Sequence, residues 1–200
     1  MNGAKVFLVD DDAAVLNALS RLLREAGFDV EAFQSPYDFL LHEDAATPGC
    51  AVVDVALGDW NGLELQSALA SKGNVRPIIF ITGKGDIGTS VQAMKAGAID
   101  FLTKPVRDQD LIEAVQRALE KDRLDREEEA RSASVGKRLA SLTPREHEVL
   151  ASVVAGRLNK QIAADLGIAE KTVKVHRARV MAKMAVRSVA ELVRVAQRTL

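Results

Sequence analysis

Short apolar runs and longer amphipathic segments alternate along the first 120 residues, and few folds can accommodate this pattern. The runs are almost continuously apolar, as in strands that are covered on both faces. Strict alternation of strand and helix predicts an α/β fold, a doubly wound parallel sheet with helices on both sides. We predict strands at 5–10, 29–33, 50–55, 77–82 and 100–104, and helices at 13–26, 36–42, 62–71, 88–96 and 107–120.

Polar side chains occur where the predicted strands end. All strands of a parallel sheet open on the same edge, so residues that are distant in sequence meet there. Carboxylates held close together resist joint ionisation, and an oxygen-only site of this kind suits Mg²⁺. A carboxylate, a metal, a hydroxyl and an ammonium group together suit phosphoryl transfer. The residues are Asp10, Asp11, Asp12, Asp54, Thr82 and Lys104.

Charge divides the chain into two parts. Residues 1–120 contain 10 Lys and Arg against 18 Asp and Glu, whereas residues 121–200 contain 17 against 10. This asymmetry predicts an acidic domain followed by a basic domain that meets a polyanion. The single cysteine, Cys50, lies in an apolar run, so we expect a core residue in a reducing compartment. With no apolar run near the roughly 20 residues that span a bilayer and no secretory signal pattern, we expect a cytoplasmic protein without a membrane partner.

The second part of the chain is helical throughout. We predict an α/β domain at 1–120, a charged helical linker at 121–138 that frays around 132–136, and an all-α four-helix domain at 139–200. Thr143, Pro144 and Glu146 form a capping box that begins one helix, and Asn159 and Gly167 are expected to begin and end the next. The short turn at 167–169 then predicts a helix-turn-helix.

The motifs of the first part resemble those of one known family. "VDDD" (9–12), "VVDV" (52–55), "FITG" (80–83) and "AMKAGAIDFLTKP" (93–105) look like the receiver domain of two-component response regulators, which has a flavodoxin-like (βα)5 fold. The resemblance implies a cis Lys104–Pro105 peptide and a loop that departs from the usual Met-Pro at Leu57-Gly58, where we expect more freedom. The resemblance also implies that Asp54 accepts the phosphoryl group and that Phe101 is the switch aromatic. Thr82 and Lys104 would contact the phosphoryl group. The implied Mg²⁺ ligands are Asp10, Asp11, Asp54 and the Ala56 carbonyl.

The basic charge of the second part concentrates on residues 170–184, where Val173, Val180 and Met184 mark an inward face. "LTPREHEVL" (142–150) and "NKQIAADLGIAEKTVKVHRARVMAKM" (159–184) resemble the LuxR-type DNA-binding domain, and the whole chain resembles a FixJ/NarL-family response regulator. The resemblance implies base-facing Lys174, Val175 and Ala178, and phosphate contacts from Lys160, Thr172, His176 and Arg179. Ala169 replaces the usual Ser cap. The apolar stripe of the last helix completes the core or pairs with a second subunit.

These patterns predict a transcription factor, not an enzyme, that a sensor histidine kinase phosphorylates on Asp54. Its expected partners are double-stranded promoter DNA, a second copy of the chain after phosphorylation, and RNA polymerase. One alternative is a dinucleotide-dependent oxidoreductase using Gly83, Gly85 and Gly88, which spell a dinucleotide-binding motif. That motif requires an acidic residue at the end of the following strand. A second alternative is a regulator that no longer needs phosphate, supported by Leu57-Gly58 alone.

Overall fold

A computed structural model describes residues 3–83 and 87–197, which leaves Gly85 and the end of the predicted last helix (198–200) outside the described residues. The chain forms two compact units, Met1–Asp125 and Arg126–Leu200. The strands are β1 (Lys5–Val9), β2 (Asp29–Phe33), β3 (Gly49–Asp54), β4 (Ala56–Leu57), β5 (Trp60–Asn61), β6 (Ile78–Thr82) and β7 (Asp100–Thr103). The helices are α1 (Ala13–Glu25), α2 (Pro36–His42), α3 (Gly62–Ser71), α4 (Ile87–Lys95), α5 (Asp108–Ala140), α6 (Pro144–Val154), α7 (Asn159–Leu166), α8 (Glu170–Lys183) and α9 (Val189–Gln197).

The first unit is the predicted doubly wound sheet. Its strands are all parallel, in the order β2-β1-β3-β6-β7, so the chain reverses its direction of progress between β1 and β3. Both faces of the central strand β3 are buried, which explains why its sequence is apolar without alternation. One apolar cluster lies on each side of the sheet. The α/β prediction is confirmed.

Cys50 lies in the middle of this core. Its side chain is fully buried, and that burial raises the pKa of the thiol to about 12. A thiol that does not ionise near neutral pH is a poor nucleophile. Cys50 is therefore a packing residue, as the sequence predicts.

A small hairpin follows β3 where the sequence predicts a looser loop. Strands β4 and β5 pair through Ala56–Asn61 and Leu57–Trp60, leaving a two-residue loop. Gly58, the first residue of the loop, has φ +61°, a left-handed conformation of the kind that two-residue hairpin loops require and glycine adopts readily. Leu57 is buried, and the half-buried Trp60 packs against the same cluster. Leu57-Gly58, the departure from Met-Pro, thus lies at the turn of this hairpin, and its greater freedom stays a prediction.

Helix α5 is longer than predicted. The expected fraying around 132–136 does not occur, and the helix continues to Ala140. Ion pairs along its surface, such as Lys121–Asp125 and Arg131–Glu127, each add a few tenths of a kcal/mol to a helix. Val135 and Leu139 also pack against the apolar cluster of the second unit. Burial of these two side chains supplies the stabilisation that the charged sequence did not suggest.

The second unit contains the end of α5 and helices α6 to α9. Thr143 caps α6 in a capping box with Glu146, and Gly167 ends α7 in the left-handed region, as predicted. Asn159 is not the cap of α7, because that position belongs to Leu158, whose N–H donates to Gln161. Val173, Val180 and Met184 are buried, as predicted for the inward face of α8.

Helix α9 directs its apolar stripe into the core. Leu192 and Ala196 are fully buried, and Val189 packs against the same cluster as the inward face of α8. This stripe therefore completes the core of the second unit, which is one of the two roles that the sequence suggests. Pairing of α9 with a second subunit stays a prediction.

The buried carboxylate of Glu146 should make the stability of the second unit depend on acid pH. The hydrogen bond from Lys183, together with that from the Thr143 N–H, lowers the pKa of Glu146 from 4.5 to about 2. Because the unfolded chain binds this proton more readily, the contribution is complete above pH 4.5 and is lost as pH falls towards about 2. We expect the unfolding midpoint of the wild type to fall more steeply across this window than that of Glu146→Gln. Glu148→Gln, an exposed neighbouring carboxylate, is the control, and equal slopes for all three proteins would contradict the assignment.

Ala185 adopts a strained backbone conformation directly after α8. Its φ is 53°, in the left-handed region that residues with a Cβ disfavour. We expect Ala185→Gly to raise the free energy of unfolding by about 0.5–1 kcal/mol, after allowance for the greater freedom of glycine in the unfolded chain. Thermal or urea unfolding measures this change. Ala182→Gly, on the exposed side of α8, should instead lower stability by about 0.5–1 kcal/mol, and the same sign for both variants would refute the explanation.

Candidate functional site

The carboxyl ends of β1 and β3 lie side by side where the sheet reverses its order. Asp10 follows β1 directly and Asp54 is the last residue of β3. Ligands of doubly wound sheets bind in the crevice outside such a reversal. Both carboxylates are buried, with 3% and 8% of the residue surface exposed.

The three consecutive aspartates have different environments. Asp10 accepts a hydrogen bond from the Asp12 N–H on one oxygen and from Lys104 on the other. Asp12 caps α1 by accepting the N–H groups of Ala14 and Val15. Asp11 is exposed, yet its carboxylate approaches those of Asp10 and Asp54, with one oxygen of each residue within 4.8 Å of the others. The site therefore contains Asp10 and Asp11, while Asp12 serves the helix.

Lys104 joins the two buried carboxylates. Its ammonium group donates to Asp10 Oδ2 at 2.7 Å and to Asp54 Oδ2 at 2.9 Å. Partial burial lowers the pKa of Lys104, but the hydrogen bonds to Asp10 and Asp54 outweigh that effect and raise it above the ordinary value. The ammonium stays charged at neutral pH. The Lys104–Pro105 peptide is cis, as expected.

This cluster has the donors that a hard divalent cation requires. One ammonium offsets only part of the charge of three carboxylates, and Asp54 Oδ1 is buried without a hydrogen-bond partner among the described residues. A buried, unpartnered carboxylate oxygen is costly unless a cation or donor binds it. Oxygen ligands of this type suit Mg²⁺ or Ca²⁺. The residues thus fit the predicted metal.

The Ala56 carbonyl takes no part in the hydrogen bonds of the hairpin ladder, and its role as a metal ligand stays a prediction. Gly62 N–H donates to the Val55 carbonyl at 2.9 Å, so the adjacent pair, Ala56 and Asn61, is the non-hydrogen-bonded pair of the ladder. The Asn61 N–H instead donates to Glu64. The Ala56 carbonyl therefore points away from β5, as a metal ligand would need.

Thr82 and Phe101 lie on the neighbouring strands. Thr82 ends β6, is buried, and accepts the Lys104 N–H through its carbonyl. The centroid of the half-buried Phe101 ring lies 6.3 Å from the centroid of the Phe80 ring. The structure thus brings Thr82 to the edge that holds Asp54 and Lys104, and places Phe101 one strand away.

Gly62, to which the sequence pattern assigns no role in the site, packs closely against the backbone of Asp54. A Cβ at Gly62 would lie 2.6 Å from the Asp54 carbonyl oxygen and 3.0 Å from the Phe80 ring. Only glycine allows the start of α3 to pack this closely on the end of β3. The spacing of eight residues from Asp54 is visible in the sequence, but the reason for it is a tertiary contact.

The second candidate surface is the exposed face of α8. Helical spacing places the predicted base-facing residues and two of the phosphate contacts on this face, opposite the buried Val173 and Val180. Val175 is 44% exposed, and Lys160 is exposed at the start of α7. The exposed residues of α8 are Glu170, Lys171, Thr172, Lys174, Val175, Ala178, Arg179 and Ala182, of which Glu170 pairs with Lys174.

Two polar side chains of α8 lie apart from this face. His176 is half-buried, with a buried Nδ1 that has no hydrogen-bond partner among the described residues, and its phosphate contact stays a prediction. Arg177 donates to Asn159 Oδ1 on α7 at 2.8 Å. Ala169 supplies no side-chain cap to α8, as the sequence implies.

The structure gives no support to the dinucleotide-binding alternative. Strand β7, which follows the glycine motif, ends at Thr103 and leads to Lys104, where that alternative requires a carboxylate. Gly85 of the motif lies outside the described residues.

Across residues 3–83 and 87–197, every helix is too short or too polar to cross a lipid bilayer.

Each of the two candidate surfaces lies in a part of the chain that matches a known protein family. Residues 6–116 match the response regulator receiver domain, and residues 140–196 match the bacterial regulatory proteins of the luxR family. Nodulation protein W of Bradyrhizobium diazoefficiens is 45% identical over 194 residues, which cover 97% of this chain and 86% of that protein. Transcriptional regulatory protein FixJ of Azorhizobium caulinodans is 46% identical over 195 residues, covering 96% and 90%.

A solved structure shows the same architecture. The response regulator StyR superposes with a TM-score of 0.89 at 44% identity, over 98% of this chain and 99% of that one. The chain belongs to the response regulators of two-component systems, in the FixJ-like class that joins a receiver domain to a LuxR-type DNA-binding domain.

Proposed function

We propose that this response regulator controls transcription through Mg²⁺-dependent phosphorylation of Asp54 by a sensor histidine kinase. Asp10, Asp11, Asp54 and the Ala56 carbonyl hold the metal, while Thr82 and Lys104 contact the phosphoryl group. The phosphorylated chain pairs with a second copy, binds promoter DNA through α8 and acts on RNA polymerase. The observation that carries the proposal is the buried, unpartnered Asp54 Oδ1 beside the ammonium of Lys104.

The carboxylate environment favours nucleophilic attack by Asp54. One Asp54 oxygen attacks phosphorus, the bond from phosphorus to the histidine nitrogen of the kinase breaks, and that nitrogen keeps the electron pair. The bound Mg²⁺ would neutralise charge that develops on the phosphoryl oxygens. Lys104 is already placed between Asp10 and Asp54, so it can move from a carboxylate to a phosphoryl oxygen over a short distance.

A conformational response can begin at Thr82. Thr82 is the last residue of β6, and a hydrogen bond from its hydroxyl to the phosphoryl group would draw the end of β6 towards Asp54. Phe101 on β7 packs beside Phe80 on β6, so a shift of β6 would give its half-buried ring a second position. On α4, Val91 and Met94 are 46% and 48% exposed and offer apolar surface for pairing of two receivers. Such a two-state change follows from a local gain of charge.

The second unit supports DNA binding by its exposed charge. Lys160, Lys171 and Arg179 are exposed, and the apolar Val175 and Ala178 between the cations can contact thymine methyl groups in a major groove. These features support a recognition role for α8.

Asp54→Asn should remove both the covalent modification and its effect on DNA binding. We expect incubation with a small phosphodonor and Mg²⁺ to add one phosphoryl group to the wild type, detected by mass, and to raise its affinity for promoter DNA. The variant should show neither change. Asp12→Asn is the matched control, because Asn also caps a helix and the residue lies outside the cluster.

Two results would count against this proposal. Equal DNA affinity of the wild type with and without the phosphodonor would refute control by phosphorylation, even if mass increased. Loss of phosphorylation in Asp12→Asn, in a folded protein, would show that Asp12 contributes to the phosphorylation site and does not only cap α1.

Lys104→Met should separate metal binding from phosphoryl transfer. Removal of the ammonium leaves the cluster more negative, so we expect Mg²⁺ to bind more tightly, by about tenfold for one nearby unit charge. Phosphorylation should nevertheless be slower, because a group that stabilises the transferring phosphoryl is lost. Trp60, the single tryptophan, lies in the hairpin next to the site and reports metal binding by fluorescence. Weaker Mg²⁺ binding in Lys104→Met would contradict the charge argument.

A further inference from the structure

We infer that Arg177 is a positioning residue for DNA recognition, which holds α7 and α8 in register through Asn159 and does not itself contact a DNA phosphate. The inference rests on the proposed function of α8 in DNA binding and adds a residue that the sequence comparison did not assign. It begins from one bond, in which Arg177 Nη1 donates to Asn159 Oδ1 at 2.8 Å across 18 residues of sequence.

The burial of Arg177 distinguishes it from the other cations near the exposed face. Lys171, Lys174 and Arg179 are exposed, whereas Arg177 is half-buried and its bond to Asn159 is partly buried. A guanidinium group presents its donors in a rigid plane, so a bond to a fixed acceptor defines direction as well as distance. Arg177 thus has the geometry of a link between helices.

Asn159 has no competing local role. The N–H groups at the start of α7 are not capped by Asn159, because the cap position is occupied by Leu158 and the Leu158 N–H donates to Gln161 Oε1 at 2.9 Å. Asn159 follows the N-cap as the first residue of the helix, whereas side-chain caps are preferred at the N-cap position itself. Here its carbonyl oxygen accepts the Arg177 guanidinium instead, so its side chain acts between the helices.

The bond supplies a restraint that the apolar contacts lack. Ile162 and Ala163 of α7 and Val173 of α8 are buried in the common core of the second unit. Apolar burial is non-directional and allows small rotations of one helix against another. The Arg177–Asn159 bond fixes the start of α7 relative to the middle of α8. It therefore sets the distance from Lys160, next to Asn159, to the predicted base-facing residues that flank Arg177.

The test compares full-length variants on two DNA probes. The first probe is a duplex selected in vitro from random sequence by the phosphorylated wild type, and the second is an unselected duplex of equal length. Kd is measured for both over a range of salt concentrations. The variants are Asn159→Ala, which changes no charge, Arg177→Gln, and the double variant. Arg179→Gln, an exposed cation two residues along the helix, is the matched control.

We expect Asn159→Ala and Arg177→Gln each to weaken binding to the selected duplex by about tenfold, as loss of a charge-assisted hydrogen bond would, with the double variant no weaker than either. Asn159→Ala should leave binding to the unselected duplex within about twofold, since non-specific affinity depends on charge. It should also leave the salt dependence unchanged. Arg179→Gln should reduce the slope of log K against log salt by about 0.9, as loss of one phosphate contact does.

A conservative variant guards against a purely structural explanation. Asn159→Asp keeps an acceptor for Arg177, so we expect the ratio of selected to unselected affinity to survive even though the added negative charge weakens both. Circular dichroism of each variant shows whether the second unit is folded. Loss of folding in Asn159→Ala would overturn the inference, because the bond would then be required for folding.

Other outcomes would also overturn it. Additive effects of Asn159→Ala and Arg177→Gln would show that the two residues act separately, and a slope change in Arg177→Gln equal to that of Arg179→Gln would make Arg177 a phosphate contact. Failure of the phosphorylated wild type to enrich any duplex would instead remove the proposed DNA-binding function, a result that differs from all of these.

Discussion

One ammonium group shared by two buried carboxylates organises the first unit. Lys104 reaches Asp10 across 94 residues of sequence and Asp54 across 50, and the sheet order β2-β1-β3-β6-β7 makes both contacts possible. Each buried carboxylate would be costly without this cation. One ammonium does not neutralise the whole cluster, because a third carboxylate, Asp11, joins it without a second ammonium among the described residues. The remaining negative charge gives the site its capacity for a divalent cation.

The second unit handles charge differently. Many of its cations are bound within the unit: Lys183 to Glu146, Arg157 to Asp165, Arg145 to Glu148 and to the Leu166 carbonyl, and Arg177 to Asn159. Pairs with carboxylates remove as much negative as positive charge, so they leave the net basic excess of the unit unchanged. The exposed cations include Lys171 and Arg179 on α8 and Lys160 at the start of α7, and also Lys137, Arg187 and Arg194 elsewhere in the unit.

The sequence predicted the parts of the molecule that depend on local pattern. Continuous apolar runs identified the five strands of the main sheet, and polar residues at the ends of these strands identified Asp10, Asp54 and Lys104. Strands β4 and β5 have only two residues each, too few for any periodicity. The sequence pattern predicts Asn159 as a helix cap, because the actual partner of its side chain, Arg177, lies on the next helix and not in the same turn. These features depend on tertiary contacts, which composition and spacing do not encode.

Helix α5 has a consequence for how such chains can be recombined. The match to the luxR family begins at residue 140, yet Val135 and Leu139 belong to the apolar cluster of the second unit, and Arg138 donates to the Met184 carbonyl. A chimera joined at the start of the family match would pair the helix end of one parent with the core of another. Such a graft exchanges two core side chains and one helix-end hydrogen bond along with the receiver. A junction near Asp125–Arg126 keeps these partners together, so the natural seam of the protein lies inside a helix.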